Sequence, residues 1–99
     1  MGYEVVIARS AQDQFGRLGA RWRSALKRAL QTHLEYEPKV VSKSRIKRLR
    51  GLRQPQYRLR VGEFRVYYDV DDSSRRVEVL GFVRKADAEE WLGEHGVPE

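Results

Sequence analysis

The stretch from Tyr57 to Asp71 constrains the fold most, because apolar and polar residues alternate along it on both sides of Gly62 and Glu63. Strict alternation with a period of two predicts a pair of half-buried β-strands. A glycine at the first position of a two-residue loop favours a type II′ hairpin turn. With that turn, the opposed pairs are Val61 with Phe64, Arg60 with Arg65, Leu59 with Val66 and Arg58 with Tyr67. One face of the hairpin is therefore wholly apolar, and the other carries two arginines side by side.

The opposed arginines indicate an anionic partner. Like charges directly opposite each other destabilise a sheet, so Arg60 and Arg65 are better explained by an anion that binds them than by folding. The chain has a formal net charge of +6, and the stretch from Lys39 to Arg60 contains nine lysines or arginines and no carboxylate. Nucleic acid, or an acidic protein that masks the same surface, is the simplest partner. The alternative is an ordinary solvated basic face.

The remaining sequence places helices and further strands around this hairpin. The predicted elements are a strand at Tyr3–Ala8, a helix capped by Ser10 with Asp13, a helix at about Ala20–Glu35, a strand at Arg76–Arg84 and a final helix capped by Asp87 with Glu90. The stretch from Lys39 to Gln56 is basic and irregular, with room for a turn or a short strand. The order β-α-α-β-β-β-α predicts a single α+β domain over residues 1–99. We expect an antiparallel sheet with an N-terminal helical hairpin packed on one face and a short C-terminal helix.

The strand after the hairpin should extend both faces. If Asp71 pairs with Arg76, the apolar face gains Val77, Val79 and Gly81, and the arginine-bearing face gains Leu80, Phe82 and Arg84. The second face would then be open to solvent. Arginine forks match phosphate oxygens, and aromatic side chains between them can stack unpaired bases. This face is the predicted nucleic-acid-binding surface.

Several other classes of site have no support in the sequence. There is no cysteine, so we expect neither disulfides nor a thiolate metal site. His33 lies on an apolar helix stripe and His95 near the end of the chain, and two isolated histidines do not make a metal site. We therefore expect no metal and no cofactor. The chain shows no signal-peptide pattern and no apolar run of membrane length, which favours a cytoplasmic protein without a membrane partner.

Two segments carry a resemblance to a known family. The sequence KRLRG at Lys47 to Gly51 and YRLRVGEFRVYYDVDD at Tyr57 to Asp72, together with the element order, resemble the RelE/ParE superfamily. Members are toxins of bacterial type II toxin-antitoxin systems. The resemblance implies either a RelE-like protein, which cleaves messenger RNA in the ribosomal A site, or a ParE-like protein, which inhibits DNA gyrase.

The resemblance also implies roles for individual residues. Two basic positions of the first hairpin strand correspond to Arg58 and Arg60, and the phosphate-binding arginine of the next strand corresponds to Arg65. A basic residue after the last strand corresponds to Arg84 or Lys85. The predicted catalytic residues are Arg65, Arg84 and Lys85. The predicted substrate-binding residues are Lys47, Arg58 and Arg60, with Tyr67 and Phe82 added as the aromatic side chains of the same predicted face. In the family mechanism the ribose 2′-hydroxyl attacks the adjacent phosphate while cationic groups stabilise the extra charge.

One position departs from the family pattern. The RelE type has a tyrosine as general base six residues after the last basic position, and counting from Lys85 gives Trp91. Indole has only a donor N–H and cannot accept a proton. Tyr67, Glu63 or an ionised aspartate could substitute, and the sequence does not choose among them. From its helical spacing we predict that Trp91 is a core residue at the sheet edge.

The sequence therefore favours a RelE-like toxin, a metal-independent endoribonuclease or mRNA interferase acting on ribosome-bound mRNA. Its predicted partners are RNA, the ribosome and a separate acidic antitoxin. Two alternatives stay open: a ParE-like gyrase inhibitor on the same fold, and a non-catalytic RNA-binding module.

Overall fold

The computed structural model describes residues 2–99 of the chain. Its elements are β1 (Glu4–Ile7), α1 (Arg9–Gly16), α2 (Ala20–Leu34), β2 (Ile46–Arg48), β3 (Leu52–Gln54), β4 (Tyr57–Val61), β5 (Phe64–Asp71), β6 (Arg76–Arg84), a 3₁₀ turn (Lys85–Asp87), α3 (Ala88–His95) and β7 (Val97–Pro98). Five strands form one sheet in the order β1-β6-β5-β4-β2, and β3 pairs with β7 separately. The predicted α+β class is confirmed, but the sheet is not wholly antiparallel, because β1 pairs in parallel with β6. Two short strands, β2 and β3, lie in the basic stretch, and β7 was not predicted.

The central hairpin has the predicted register. Arg60 lies opposite Arg65, and each of the other predicted pairs of β4 and β5 is also formed. Gly62 has a φ of +55°, and Glu63 has no positive φ, as a type II′ turn requires. A Cβ atom at Gly62 would lie 3.3 Å from the ring of Trp22. Glycine suits this turn because it adopts the positive φ and because a larger residue would contact Trp22 of α2 tightly.

One face of the five-stranded sheet, called here the core face, packs against α1 and α2. The helices follow the predicted spacing, with Ala11, Leu26, Leu30 and Leu34 buried. The fully buried sheet residues on this face are Leu59, Phe64, Val66, Tyr68, Val77 and Val79. Burial of apolar surface at roughly 25 cal/mol per Å² makes this layer the main source of stability.

The predicted helix caps are wrong in detail. Helix α1 begins at Arg9, so Ser10 lies inside the helix, and the capping position is Ala8 without a side-chain hydrogen bond. Asp87 does precede α3 as predicted. Its side chain makes no cap hydrogen bond, because a 3₁₀ turn leads directly into this helix and replaces the expected capping box with Glu90.

A β-bulge changes the faces of β6. Asp71 pairs with Arg76 as predicted, but the register shifts between Tyr67 and Tyr68, which leaves Leu80 as the extra residue. Beyond a bulge the alternation of faces is displaced by one residue. Phe82 therefore lies opposite Val66, and Arg84 lies opposite Phe64. The prediction that Phe82 and Arg84 point to the arginine-bearing face is wrong, and Gly81 and Val83 take those places.

Candidate nucleic-acid interface

The face of the sheet opposite the core face is called here the arginine face. Strand pairing builds it from two rows of side chains. One row runs from Lys47 through Arg58 and Tyr67 to Gly81, and the other from Arg60 through Arg65 to Val83. Three strands thus bring four of the predicted site cations, Lys47, Arg58, Arg60 and Arg65, onto one surface.

None of these four cations forms an ion pair within residues 2–99, because the ion pairs formed there involve other side chains. The Nε atom of Arg58 is buried and has no hydrogen-bond partner. A buried donor without a partner costs free energy that a bound acceptor would recover. The arginine face is therefore incomplete as it stands and is suited to an anion.

Arg65 lies at the centre of this charge and is only 8% exposed. One terminal guanidinium nitrogen donates to the carbonyl oxygens of Gly62 at 3.0 Å and Phe64 at 2.9 Å. Burial lowers the pKa of Arg65, and the nearby positive charges of Arg58 and Arg60 lower it further. A phosphate beside this guanidinium would offset both effects.

An open cleft of about 650 Å³ borders the arginine face at the β4–β5 turn. Its lining consists of Arg60, Gly62, Glu63, Arg65, Arg84, Lys85 and Ala86. The three predicted catalytic residues, Arg65, Arg84 and Lys85, therefore meet at this cleft. Arg84 reaches it from the core side, where its guanidinium lies 4.8 Å from the centre of the Phe64 ring.

Glu63 links the β4–β5 turn to the end of β6 through two hydrogen bonds. Its carboxylate accepts a hydrogen bond from Arg84 at 3.1 Å, and its carbonyl oxygen accepts one from the Lys85 backbone N–H at 2.7 Å. The sequence alone listed Glu63 only as one of several possible bases. Two features bring Glu63 to the site. The two-residue turn was predicted from the sequence, but the position of the end of β6 was not, because the bulge at Leu80 changes its register.

Helix α3 covers the other half of the arginine face. Trp91 stacks on Tyr67 with ring centres 4.9 Å apart, and a Cβ atom at Gly81 would lie 2.5 Å from the indole ring. His95 stacks on Trp91 at 4.8 Å. The prediction that Trp91 is a core residue at the sheet edge is wrong: the side chain is half-buried, lies outside the core cluster, and packs on the sheet face through Tyr67.

The two predicted aromatic contacts are not available at this surface. Tyr67 is 2% exposed beneath Trp91, and Phe82 is 4% exposed and packs on Phe15 in the core at 5.2 Å. Burial also raises the pKa of the Tyr67 hydroxyl. The interface that the structure presents is therefore cationic, with its aromatic residues used for packing.

Residues 2–99 include no helix with both the length and the apolar character that crossing a bilayer requires.

Comparison with known proteins places this fold. No protein-family model matches the chain, and no curated protein matches it. The RelBE2 toxin-antitoxin complex of Mycobacterium tuberculosis matches with a TM-score of 0.72 and 26% identity, over 85% of this chain and 99% of the matched one. The RelE–RelB complex of Pyrococcus horikoshii matches with a TM-score of 0.69 and 26% identity, over 86% and 97% of the two chains.

A third solved structure is the E. coli RelE toxin in the free state, carrying two arginine-to-alanine substitutions. It matches with a TM-score of 0.70 and 28% identity, over 95% of this chain and 94% of the matched one. These similarities extend over most of both chains in each pair. The chain therefore resembles RelE toxins in fold and in sequence.

Proposed function

We propose that this chain is the toxin of a toxin-antitoxin pair and cleaves messenger RNA at the cleft beside the β4–β5 turn. One observation carries the proposal. Arg58, Arg60 and Arg65 converge on one face and form no ion pair with residues 2–99, and Lys85 lies at the same cleft as Arg60 and Arg65. A fold does not tolerate such a cluster without cost, and an RNA phosphate removes the cost.

The two rows of the arginine face suit a single-stranded substrate. Arg58 and Arg60 are two residues apart on β4, which is roughly 6–7 Å along a strand. Successive phosphates of one extended strand can therefore contact both rows. The scissile phosphate would lie against Arg60 and Arg65, and Lys47 with Arg58 would hold its neighbour.

Cleavage at this position needs mainly charge stabilisation. When the ribose 2′-oxygen attacks the phosphorus, negative charge grows on the phosphoryl oxygens. Fixed cationic donors in a partly desolvated site stabilise that charge, and removing one such donor typically costs about 100-fold or more in rate. Arg65 is the best placed, because its guanidinium is buried and anchored to two turn carbonyls.

We further propose that an acidic antitoxin neutralises the chain. RelE proteins among the matched structures are solved in complex with RelB antitoxins, and this chain carries a net charge of +6. An acidic segment laid across the arginine face would pair with the same cations as RNA. Charge complementarity would accelerate its binding and make the rate sensitive to salt. A protein with these two partners would act in the cytoplasm, and that location is part of the proposal.

A second candidate is a non-catalytic RNA-binding module, favoured by Trp91 at the position where the family has a proton acceptor. The deciding experiment adds the purified protein to a reconstituted translation system and maps mRNA ends by primer extension. Truncated mRNA that appears only with ribosomes is the expected result. Intact mRNA that is nevertheless bound would favour the binding module, and inhibition of DNA gyrase supercoiling with intact mRNA would favour the ParE-like activity.

A further inference from the structure

RNA cleavage needs a group that accepts the 2′-hydroxyl proton, and three side chains can be excluded from that role. Trp91 offers only a donor N–H. Tyr67 lies beneath Trp91 and is 2% exposed, so its hydroxyl cannot meet a substrate while α3 is in place. Asp69 is already engaged, since it accepts hydrogen bonds from the Gln54 side chain and the Gln56 backbone N–H.

Glu63 is the single carboxylate that lines the cleft among residues 2–99. Its side chain is 70% exposed, although one oxygen contacts Arg84 at 3.1 Å. The carboxylate is thus reachable by a substrate and has an oxygen left to accept a proton. Arg60, Arg65 and Lys85 line the same cleft, so a phosphate held by these cations would lie near this carboxylate.

The turn holds Glu63 in a fixed position. Its carbonyl oxygen is bound by the Lys85 backbone N–H at 2.7 Å, and the carbonyls of the residues on either side accept from Arg65. Beneath the turn, Trp22 packs edge-on against Phe64 with ring centres 4.7 Å apart. These backbone anchors keep the exposed carboxylate at the cleft, within reach of a bound substrate.

We propose that Glu63 is the proton acceptor of RNA cleavage, an inference that rests on the proposed nuclease function. The 2′-O–H proton passes to a Glu63 carboxylate oxygen as the 2′-oxygen forms its bond to phosphorus. The bond from phosphorus to the 5′-oxygen of the next nucleotide breaks, and that oxygen takes a proton from the Lys85 ammonium. The products are a 2′,3′-cyclic phosphate and a 5′-hydroxyl, and proton exchange with water restores Glu63 and Lys85.

If the Glu63 carboxylate had only a structural role, Glu63→Gln would change cleavage only as far as it changed the stability of the protein. An exposed ion pair such as that of Glu63 with Arg84 stabilises a fold little. Glu63→Gln keeps an oxygen that can accept from Arg84 but cannot take up a proton. We expect ribosome-dependent cleavage to fall by about 100-fold or more, with an unchanged melting temperature and undiminished RNA binding. The matched control is Glu90→Gln on α3, which removes a carboxylate from the neighbouring cleft and should cleave like the unaltered protein.

Chemical rescue separates proton transfer from positioning. Added formate should restore part of the cleavage activity of Glu63→Ala, because it supplies a carboxylate in the vacated space, and should not affect Glu90→Gln. If the unaltered protein cleaves and Glu63→Gln cleaves equally fast, the role of Glu63 is overturned while the nuclease function stands. If Glu63→Ala is inactive and formate restores nothing, Glu63 does not act as the base. If the unaltered protein cleaves no mRNA at all, the nuclease function and this role are both wrong.

Discussion

The core face and the arginine face of β4, β5 and β6 differ in how many of their polar groups have hydrogen-bond partners. Tyr67 and Tyr68 are neighbours in β5 and point to opposite faces. The hydroxyl of Tyr68, on the core face, donates to the Pro38 carbonyl at 2.7 Å. On the arginine face, Arg58 has a buried Nε without a partner, and the desolvated Arg65 has a lowered pKa. The core face therefore stabilises the fold, and the arginine face keeps hydrogen-bond donors that can bind a ligand.

The two faces should therefore respond differently to truncation. Leu59→Ala removes a fully buried core side chain and should lower the free energy of unfolding by about 2–5 kcal/mol. Lys47→Ala, which removes a cation from the arginine face, should leave it nearly unchanged. Urea denaturation of both variants checks this contrast. A Lys47→Ala protein as unstable as Leu59→Ala would show that the arginine face is part of the folding core.

Trp91 contributes to stability although it lies on the arginine face, because its indole ring packs on Tyr67. Trp91→Ala should destabilise the protein by about 1–3 kcal/mol, less than the loss for a fully buried aromatic residue, and should loosen α3 from the sheet. Trp91→Phe should retain most of the stacking on Tyr67. Chemical denaturation, with hydrogen exchange of the α3 amides, measures both effects. Unchanged stability and protection in Trp91→Ala would contradict the packing role.

The arginine face should gain stability from an anionic ligand. A single-stranded 2′-deoxy oligonucleotide cannot be cleaved through a 2′-hydroxyl and serves as the probe. At a free concentration tenfold above its Kd it should stabilise the chain by about 1.4 kcal/mol and raise the melting temperature by several degrees. The logarithm of the affinity should fall with the logarithm of the salt concentration by roughly 0.7 per phosphate contact. A shift equally large in Arg58→Ala would place the oligonucleotide elsewhere.

The smallest effect is expected at the hydrogen bonds between Asp72, Lys39 and Tyr3, which are exposed. Asp72 accepts hydrogen bonds of 2.6 Å from Lys39 and from Tyr3, and these bonds, that of Lys39 first, lower its pKa. A lowered carboxyl pKa contributes stability above the unfolded-state pKa, and that stability is lost as pH falls through the folded-state pKa. Asp72→Asn should therefore melt slightly lower at neutral pH and like the unaltered protein in strong acid. A difference that grows in acid would reverse this sign.

The sequence predicted the part of the site that depends on local geometry. Alternation and Gly62 specified the turn, and the turn specified the opposition of Arg60 and Arg65. The faces of Phe82 and Arg84 were mispredicted because the extra residue Leu80 shifts the alternation by one. A prediction that assumes strict alternation cannot include such an insertion. A glycine within a strand, here Gly81, is the available signal for a bulge. The docking of Trp91 on Tyr67 is a long-range contact that helical spacing does not specify.

The most direct test of the arginine face is the rate of ribosome-dependent mRNA cleavage by Arg65→Ala, measured together with its melting temperature. The variant should cleave about 100-fold more slowly or worse. Its melting temperature should change little, because the two hydrogen bonds lost to the turn carbonyls are offset by removal of a desolvated cation opposite Arg60, which relieves repulsion. Arg65→Lys keeps the charge without the planar fork and should cleave at an intermediate rate. A folded Arg65→Ala protein that cleaves mRNA as fast as the unaltered chain would contradict the account.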